Sequence, residues 1–390
     1  MSRPERPPRI ALVRGSWNAA GGAERFVQRI AAALSERGVE LTLIARQWPQ
    51  GDTGLPAAVR CIELATFHIG RRARDQGFAR AVRATVARER FDLVQSHERI
   101  PGLPLYRAGD GVHRQWLAIR RRQHGFWRNL GDQFSLQHRA ILRAEREMFG
   151  HPALQCVVCN SEMVRDEIAR MYGVPADKLT VIRNGIDLQR FRPPTETERR
   201  AARARFGWPD DKAVFLFVGS GFERKGVAGA LRAFAQGGLQ GKALLVVVGH
   251  DKRRSRYEQL AHTLGIAGAV RFTGPQQDVL PYYQAADAFV LPTLYDQQSN
   301  AVLEAMACGL PAITTTGCGV AELLTAESGH VVDAFDEAAL AAAMTDLLRP
   351  DHARALGAGA RRAIEPYSLD RMTDDYLALY ARLMRTPAAP

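Results

Sequence analysis

Ala213-Val-Phe-Leu-Phe-Val218-Gly219-Ser-Gly-Phe-Glu-Arg224-Lys225-Gly226-Val227 decides how this chain is read. An uninterrupted apolar run bounded by glycine is the pattern of a strand buried on both faces of a parallel sheet. The glycines after it let the backbone turn sharply, and Val227–Ala235 continues with helical periodicity. Working outward, strands are predicted at Leu244–Val248, Val270–Thr273, Ala288–Leu291, Ala312–Thr315 and His330–Val332. Helices at Arg256–Leu264, Ser299–Cys308 and Glu337–Leu348 fall between them. Strand and helix in alternation specify an α/β architecture with a parallel sheet.

The first half runs on the same scheme. Arg9-Ile-Ala-Leu-Val-Arg14 reads as a strand, and a loop from Gly15 to Gly22 leads into a helix. That helix carries Phe26, Ile30 and Leu34 on one face and stops at Gly38. Further strands are predicted at Leu41–Ala45, Asp92–Ser96, Gln155–Cys159 and Leu179–Ile182, with residues 70–90 and 114–148 helical and basic. A length of 390 residues suits two such domains. The division is expected near 188–212, where Arg192-Pro-Pro-Thr-Glu-Thr-Glu lacks strand character. Two doubly wound domains facing each other would place a ligand cleft at the carboxyl ends of their strands.

Composition narrows the function. With 46% hydrophobic and 24% charged residues the chain is globular rather than disordered. Its apolar runs, such as Ala243–Val248, are far short of the ~20 residues that span a bilayer, and no secretory h-region follows Met1. A cytoplasmic location is therefore expected. The five cysteines (61, 156, 159, 308 and 318) are scattered, as in a reducing compartment. Cys156 and Cys159 lie three apart on a strand, so they point to opposite faces and do not share a metal.

Charge is unevenly placed. Residues 1–190 hold 31 Lys and Arg against 19 Asp and Glu, whereas the remainder is balanced at 22 of each. Residues 71–146 alone carry 17 basic side chains, among them Arg71, Arg72, Arg74, Arg120, Arg121 and Arg122. Such a field attracts nucleic acid, anionic lipid headgroups or a phosphorylated substrate. No zinc-finger or RRM signature accompanies it, which counts against nucleic acid. The glycine spacing of Gly15–Glu24 is not the GxGxxG of a dinucleotide site, which counts against a NAD-linked oxidoreductase.

Three segments carry chemistry. Gly21 and Gly22 open the first helix and would let an anion approach its N–H groups. Arg224 and Lys225, beside Gly219, suit a diphosphate whose oxygens gain charge as a bond breaks. In Tyr295-Asp-Gln-Gln-Ser-Asn-Ala-Val-Leu-Glu-Ala-Met-Ala-Cys-Gly-Leu-Pro311, a polar loop with Asp296, Ser299 and Asn300 precedes an apolar helix carrying Glu304. A carboxylate in that setting needs polar partners, and sugar hydroxyls are good ones. No Asp-x-Asp occurs, so a metal-bridged diphosphate is not expected, and the histidines show no metal-ligand spacing.

Taken in order, Gly21-Gly22-Ala-Glu24, Val181-Ile-Arg-Asn-Gly-Ile-Asp187, Gly219-x-Gly-x-x-Arg-Lys-Gly226 and Leu-Glu-Ala-x-Ala-x-Gly-Leu-Pro311 resemble the retaining nucleotide-sugar glycosyltransferases of family 4. Gly219–Phe234, Val247–Lys252 and Phe272–Gly274 look most like their lipopolysaccharide core glucosyltransferase I group. The resemblance implies a GT-B fold of two Rossmann-like domains. Residues 1–188 would face the acceptor, with 370–390 a helix returning to them, and 189–369 would hold the nucleotide sugar. It further implies a UDP-hexose donor as co-substrate with no separate cofactor or metal, a glycolipid acceptor and a membrane-surface location. Arg224 and Lys225 would hold the diphosphate, Gly22 would lie beneath it, and Glu304 would bind ribose. Asp296 stands where the family has a glutamate. Asp110 matches a polar position near the transferred sugar, and His113 is a further acceptor-side candidate. Asn160, Ser161 and Arg183 would line the wall between domains.

Overall fold

A computed structural model describes residues 6–15, 22–47, 54–65, 70–123 and 135–385, without the side chains of 22–25, 71 and 72. It divides into two compact units, residues 1–185 with 369–390, and residues 186–368. The boundary falls at Gly185/Ile186, three residues before the expected position. Ile186 already pairs with Ser368, and its N–H donates to the Tyr367 carbonyl at 2.9 Å, which commits it to the second unit.

The first unit is built on a sheet of order β3-β2-β1-β4-β5-β6-β7. Its strands are β1 (Arg9–Arg14), β2 (Glu40–Ala45), β3 (Arg60–Glu63), β4 (Leu93–Ser96), β5 (Leu105–Arg107), β6 (Cys156–Cys159) and β7 (Leu179–Val181). All pairs are parallel. Side chains alternate as the pleat requires: Ile10 and Leu12 pack with Phe26, Ile30 and Leu34, and Ala11 and Val13 pack with Phe78 and Val82. Cys156 and Cys159 enter different clusters, as the strand reading predicts. Helix Leu369–Arg385 buries Met372, Tyr376, Leu379 and Tyr380 against the first of these faces. Among the described residues, the basic stretch 114–148 contributes to helices His113–Gln123 and Leu136–Phe149.

The second unit has the order β10-β9-β8-β11-β12-β13. Here β8 is Ala213–Val218, β9 Ala243–Val248, β10 Val270–Gly274, β11 Ala288–Leu291, β12 Ala312–Thr315 and β13 Gly329–Val332, again all parallel. The polar segment where the division is expected is helical over Glu196–Phe206. Thr195 and Glu198 cap it reciprocally, and Arg199 and Arg203 reach back to Asp287 before β11. The capping box was present in the sequence, but helix Glu196–Phe206 has so few apolar residues that periodicity concealed it.

In each unit the strand order reverses once, between β1 and β4 and between β8 and β11. In open α/β sheets such a reversal is where ligands bind, beyond the carboxyl ends of the strands.

Candidate active site

At the second unit's reversal, β8 ends at Val218 and β11 at Leu291. Arg224 and Lys225 do not sit on a loop entering one long helix, as expected. They occupy a four-residue helix of their own, Phe222–Lys225, which Gly226 separates from helix Val227–Gln236. Gly226 has φ +79, and a Cβ there would lie 1.8 Å from the Pro292 carbonyl oxygen. No other residue permits that approach.

The approach ties the cations to the loop after β11. Leu294 N–H donates to the Arg224 carbonyl at 2.8 Å, and Thr293 Oγ1 donates to it at 3.0 Å. The Arg224 guanidinium in turn donates to the Tyr295 carbonyl at 2.8 Å. Lys225 Nζ pairs with Asp296 Oδ2, and both side chains are nearly buried. Burial would push the Asp296 carboxyl up, but the charges of Lys225 and Arg224 outweigh it and hold it below the ordinary carboxylate range. Backbone bonds fix Asp296 on both sides: its N–H donates to Gly317 at 2.9 Å and its carbonyl accepts from Gly319 at 2.8 Å. Gly219 lies against the Lys225 stem, since a Cβ there would sit 3.4 Å from Lys225 Cγ.

Ser299 is the N-cap of helix Asn300–Ala307, and Asn300 is its first residue. Glu304, one turn in, is 3% exposed. The Tyr283 hydroxyl lies 3.1 Å from Glu304 Oε2 and 3.2 Å from the Ala301 carbonyl. Tyr283 thus positions a carboxylate that sequence reading assigned alone. Its signal, a buried tyrosine in a short apolar helix, is indistinguishable from ordinary core until the partner is seen.

The first unit builds a second polar cluster at its own reversal. Arg14 at the end of β1 lies 3.4 Å from Glu98 and 3.5 Å from Asp110. Gly15 N–H donates to Glu98 Oε1 at 2.9 Å. Burial raises the Glu98 carboxyl above its ordinary value, Arg14 only partly opposing it. The Asp110 side chain is 41% exposed; against its partial burial, the guanidinium groups of Arg14, Arg99 and Arg107 hold it below the ordinary value. The two carboxyls are therefore pushed apart around one shared arginine. Deeper in, Arg107 donates to Asn184 at 2.6 Å and to the Tyr376 hydroxyl at 3.2 Å. Its guanidinium lies 3.5 Å from the Phe26 ring centroid. Burial and the Arg107 charge hold His97 neutral, well below its usual pKa.

Asp110 is held in place from behind. Glu145, buried on helix Leu136–Phe149, accepts from Arg99 Nε at 2.9 Å, His113 N–H at 2.7 Å and the Tyr172 hydroxyl at 2.5 Å. Arg99 also donates to the Gly111 carbonyl at 2.9 Å. His113 lies 3.0 Å from His138, and burial with the Arg99 charge lowers its pKa to about 4, so it is neutral at physiological pH. Arg14, Glu98, Arg99 and Glu145 were not singled out from sequence. Arg14 and Glu98 were detectable as charges ending or following buried strands.

Of the remaining expected residues, Gly21 lies outside the described residues, and Gly22 begins helix Gly22–Glu36. Arg71 and Arg72 fall in helix Gly70–Glu89, but their side chains lie outside the described set. Arg74 pairs with Asp75 at 2.9 Å. Arg120 approaches the Trp116 ring at 6.0 Å, and Arg121 and Arg122 are exposed in the last turn of helix His113–Gln123. Ser161 caps helix Glu162–Tyr172 by accepting from Val164 N–H at 3.3 Å. No helix among the described residues is long and apolar enough to cross a membrane.

Residues 20–190 match the family described as Glycosyltransferase Family 4, and residues 198–363 match Glycosyl transferases group 1. The lipopolysaccharide glucosyltransferase WaaG of Escherichia coli (strain K12) is 28% identical over 316 residues, which are 80% of this chain and 82% of that protein. The crystal structure of WaaG, a glycosyltransferase involved in lipopolysaccharide biosynthesis, aligns with a TM-score of 0.81 at 24% identity, over 95% of this chain and 99% of that one. Anabaena HepE, solved with UDP-glucose, aligns with a TM-score of 0.74 at 17% identity, over 96% of this chain and 99% of that one. With one family description on each unit and the whole fold shared, this chain belongs to the GT-B glycosyltransferases of family 4 and group 1, and is related to the lipopolysaccharide glucosyltransferases.

Proposed function

We propose that this glycosyltransferase moves a hexose, glucose foremost, from a UDP-sugar to an anionic glycolipid of the lipopolysaccharide inner core. Transfer proceeds with retention and without a metal, on the cytoplasmic face of the inner membrane. The observation that carries this reading is the Arg224–Lys225 pair, fixed by Gly226 against the loop of Asp296 at the reversal of the second sheet. Two cations anchored by backbone and carboxylate cannot drift as charge develops on a departing diphosphate, so they stabilise it without reorganising. That arrangement does by side chains what a divalent ion does elsewhere. Likeness to a glucosyltransferase, and to HepE, which was solved with UDP-glucose, favours the donor.

Glu304 takes the ribose hydroxyls, with Tyr283 orienting its carboxylate. Because this contact binds rather than transfers a proton, Glu304→Gln is expected to weaken UDP affinity and turnover together. A variant that binds UDP normally yet fails to turn over would overturn the assignment. The acceptor hydroxyl attacks on the face the diphosphate leaves, and Asp110 faces the transferred sugar. The direct test is transfer and donor hydrolysis across a panel of UDP-sugars, with UDP and NAD compared as protectants against thermal unfolding. Protection by NAD and not by UDP would overturn the reading.

The basic side chains of the first unit recruit the enzyme to anionic lipid. Each arginine near such a surface contributes roughly 1 kcal/mol within a Debye length of ~8 Å. Replacing Arg71, Arg72, Arg74 and Arg120–Arg122 by glutamine is expected to reduce co-sedimentation with phosphatidylglycerol vesicles. Binding to the wild type should rise with anionic lipid and fall with salt. Equal binding to neutral and anionic vesicles would remove electrostatics as the cause.

A further inference from the structure

Away from both polar clusters, three side chains converge on one point of the second unit. His330 lies in β13, Asp346 ends helix Glu337–Asp346, and His352 lies in the first turn of helix Pro350–Ile364. Their nearest donor atoms all fall within 4.8 Å of one another. Both imidazole Nε2 atoms face the same carboxylate oxygen, Asp346 Oδ2, at 3.1 Å from His330 and 2.9 Å from His352. Arg349 occupies the other oxygen, Oδ1.

The His330 contact is short but is not a hydrogen bond, and its buried Nε2 has no hydrogen-bond partner. A buried imidazole nitrogen that lies near a carboxylate oxygen without a hydrogen bond is left unsatisfied, and a cation held between the two would satisfy both. Zn–N and Zn–O bonds of about 2.0–2.2 Å put neighbouring ligands of a tetrahedral site about 3.3 Å apart, close to the 3.1 and 2.9 Å that separate the two nitrogens from Asp346 Oδ2. Two imidazoles with one carboxylate favour Zn2+, Co2+ or Ni2+ over the hard cations Mg2+ and Ca2+. The side chains are 30%, 28% and 36% exposed, which leaves an entry path and room for water as a remaining ligand.

We propose that His330, Asp346 and His352 form a site for one divalent transition-metal ion of the zinc class. Its role is structural: the ion clasps β13, at the sheet edge, to the ends of two helices. His330 pairs with Ile313 early in β12, whereas Asp296 bonds to Gly317 and Gly319 beyond that strand's other end, so the ion stands apart from the diphosphate cations. Sequence spacing could not reveal this site, because its ligands come from three separate elements.

The test uses the full chain without a polyhistidine tag, stripped with EDTA and titrated calorimetrically with Zn2+ and with Mg2+. One equivalent of Zn2+ is expected to bind and raise the melting temperature, with no response to Mg2+. His330→Gln and His352→Gln should each weaken Zn2+ binding about tenfold or more, while their melting in EDTA matches the stripped wild type. Should either variant fold poorly, anomalous scattering from Zn2+-soaked wild-type crystals decides, with a peak expected between the three side chains. No Zn2+ binding by the wild type, equal binding by the double variant, or a peak elsewhere would overturn the site.

Discussion

Replacing Arg224 and Lys225 together by alanine is expected to cut sugar transfer between about a hundredfold and ten-thousandfold. Each charge-assisted contact to a phosphate contributes ~1.5–3 kcal/mol, and ~1.4 kcal/mol corresponds to a factor of ten in rate. On the proposed role the loss should fall mainly on kcat, since the cations would act most strongly as the leaving oxygen gains charge. A complication lies in Asp296, whose nearly buried carboxylate loses its Lys225 partner in this variant. An unpaired buried charge destabilises, so part of any loss could come from the fold. Adding Asp296→Asn separates the two effects: it should restore the melting temperature and leave transfer low. Near-normal turnover in the double variant, with the fold intact, would overturn the role of both cations.

The second large effect concerns a residue with no chemistry. Gly226→Ala should lower the melting temperature of the second unit by roughly 10 °C, as expected for a loss of about 3–5 kcal/mol. The introduced Cβ would meet the Pro292 carbonyl at 1.8 Å, and backbone cannot yield as a flexible side chain can. The φ of +79 adds strain of its own. Any relaxation pushes the short helix Phe222–Lys225 away from the loop 292–296, which breaks the contacts of Arg224 with Leu294 and Tyr295. UDP affinity should therefore fall further than the stability loss alone explains. Gly229→Ala, at a position with open space around it, is the matched control and should leave both unchanged. Equal behaviour of the two variants would show that the close approach does not matter.

Residues close in sequence and locally periodic declared themselves early. The buried strands Ala213–Val218 and Ala243–Val248 are runs of apolar residues whatever surrounds them, and helix Gly22–Glu36 shows its face through Phe26, Ile30 and Leu34. Short or irregular elements did not. Strands β3 and β5 have four and three residues, too few for a period to emerge, and their pairing partners hold them in place. Helix Glu196–Phe206 is bound by arginines reaching Asp287, and hydrophobic patterning does not encode such contacts.

The sequence by itself determined the parallel α/β architecture, the place of the glycine-flanked cations and the carboxylates on which the proposed chemistry rests. Strand order required the tertiary structure, because many orders satisfy the same alternation of strand and helix. So did every long-range partnership: Lys225 with Asp296, 71 residues away, Glu304 with Tyr283, and Arg14 with both Glu98 and Asp110. The clustering of His330, Asp346 and His352 belongs to the same class. The physical reason is common to all of them. Local patterning records what each segment does with water, whereas ion pairs and ligand clusters depend on which strand ends the packed sheet brings side by side.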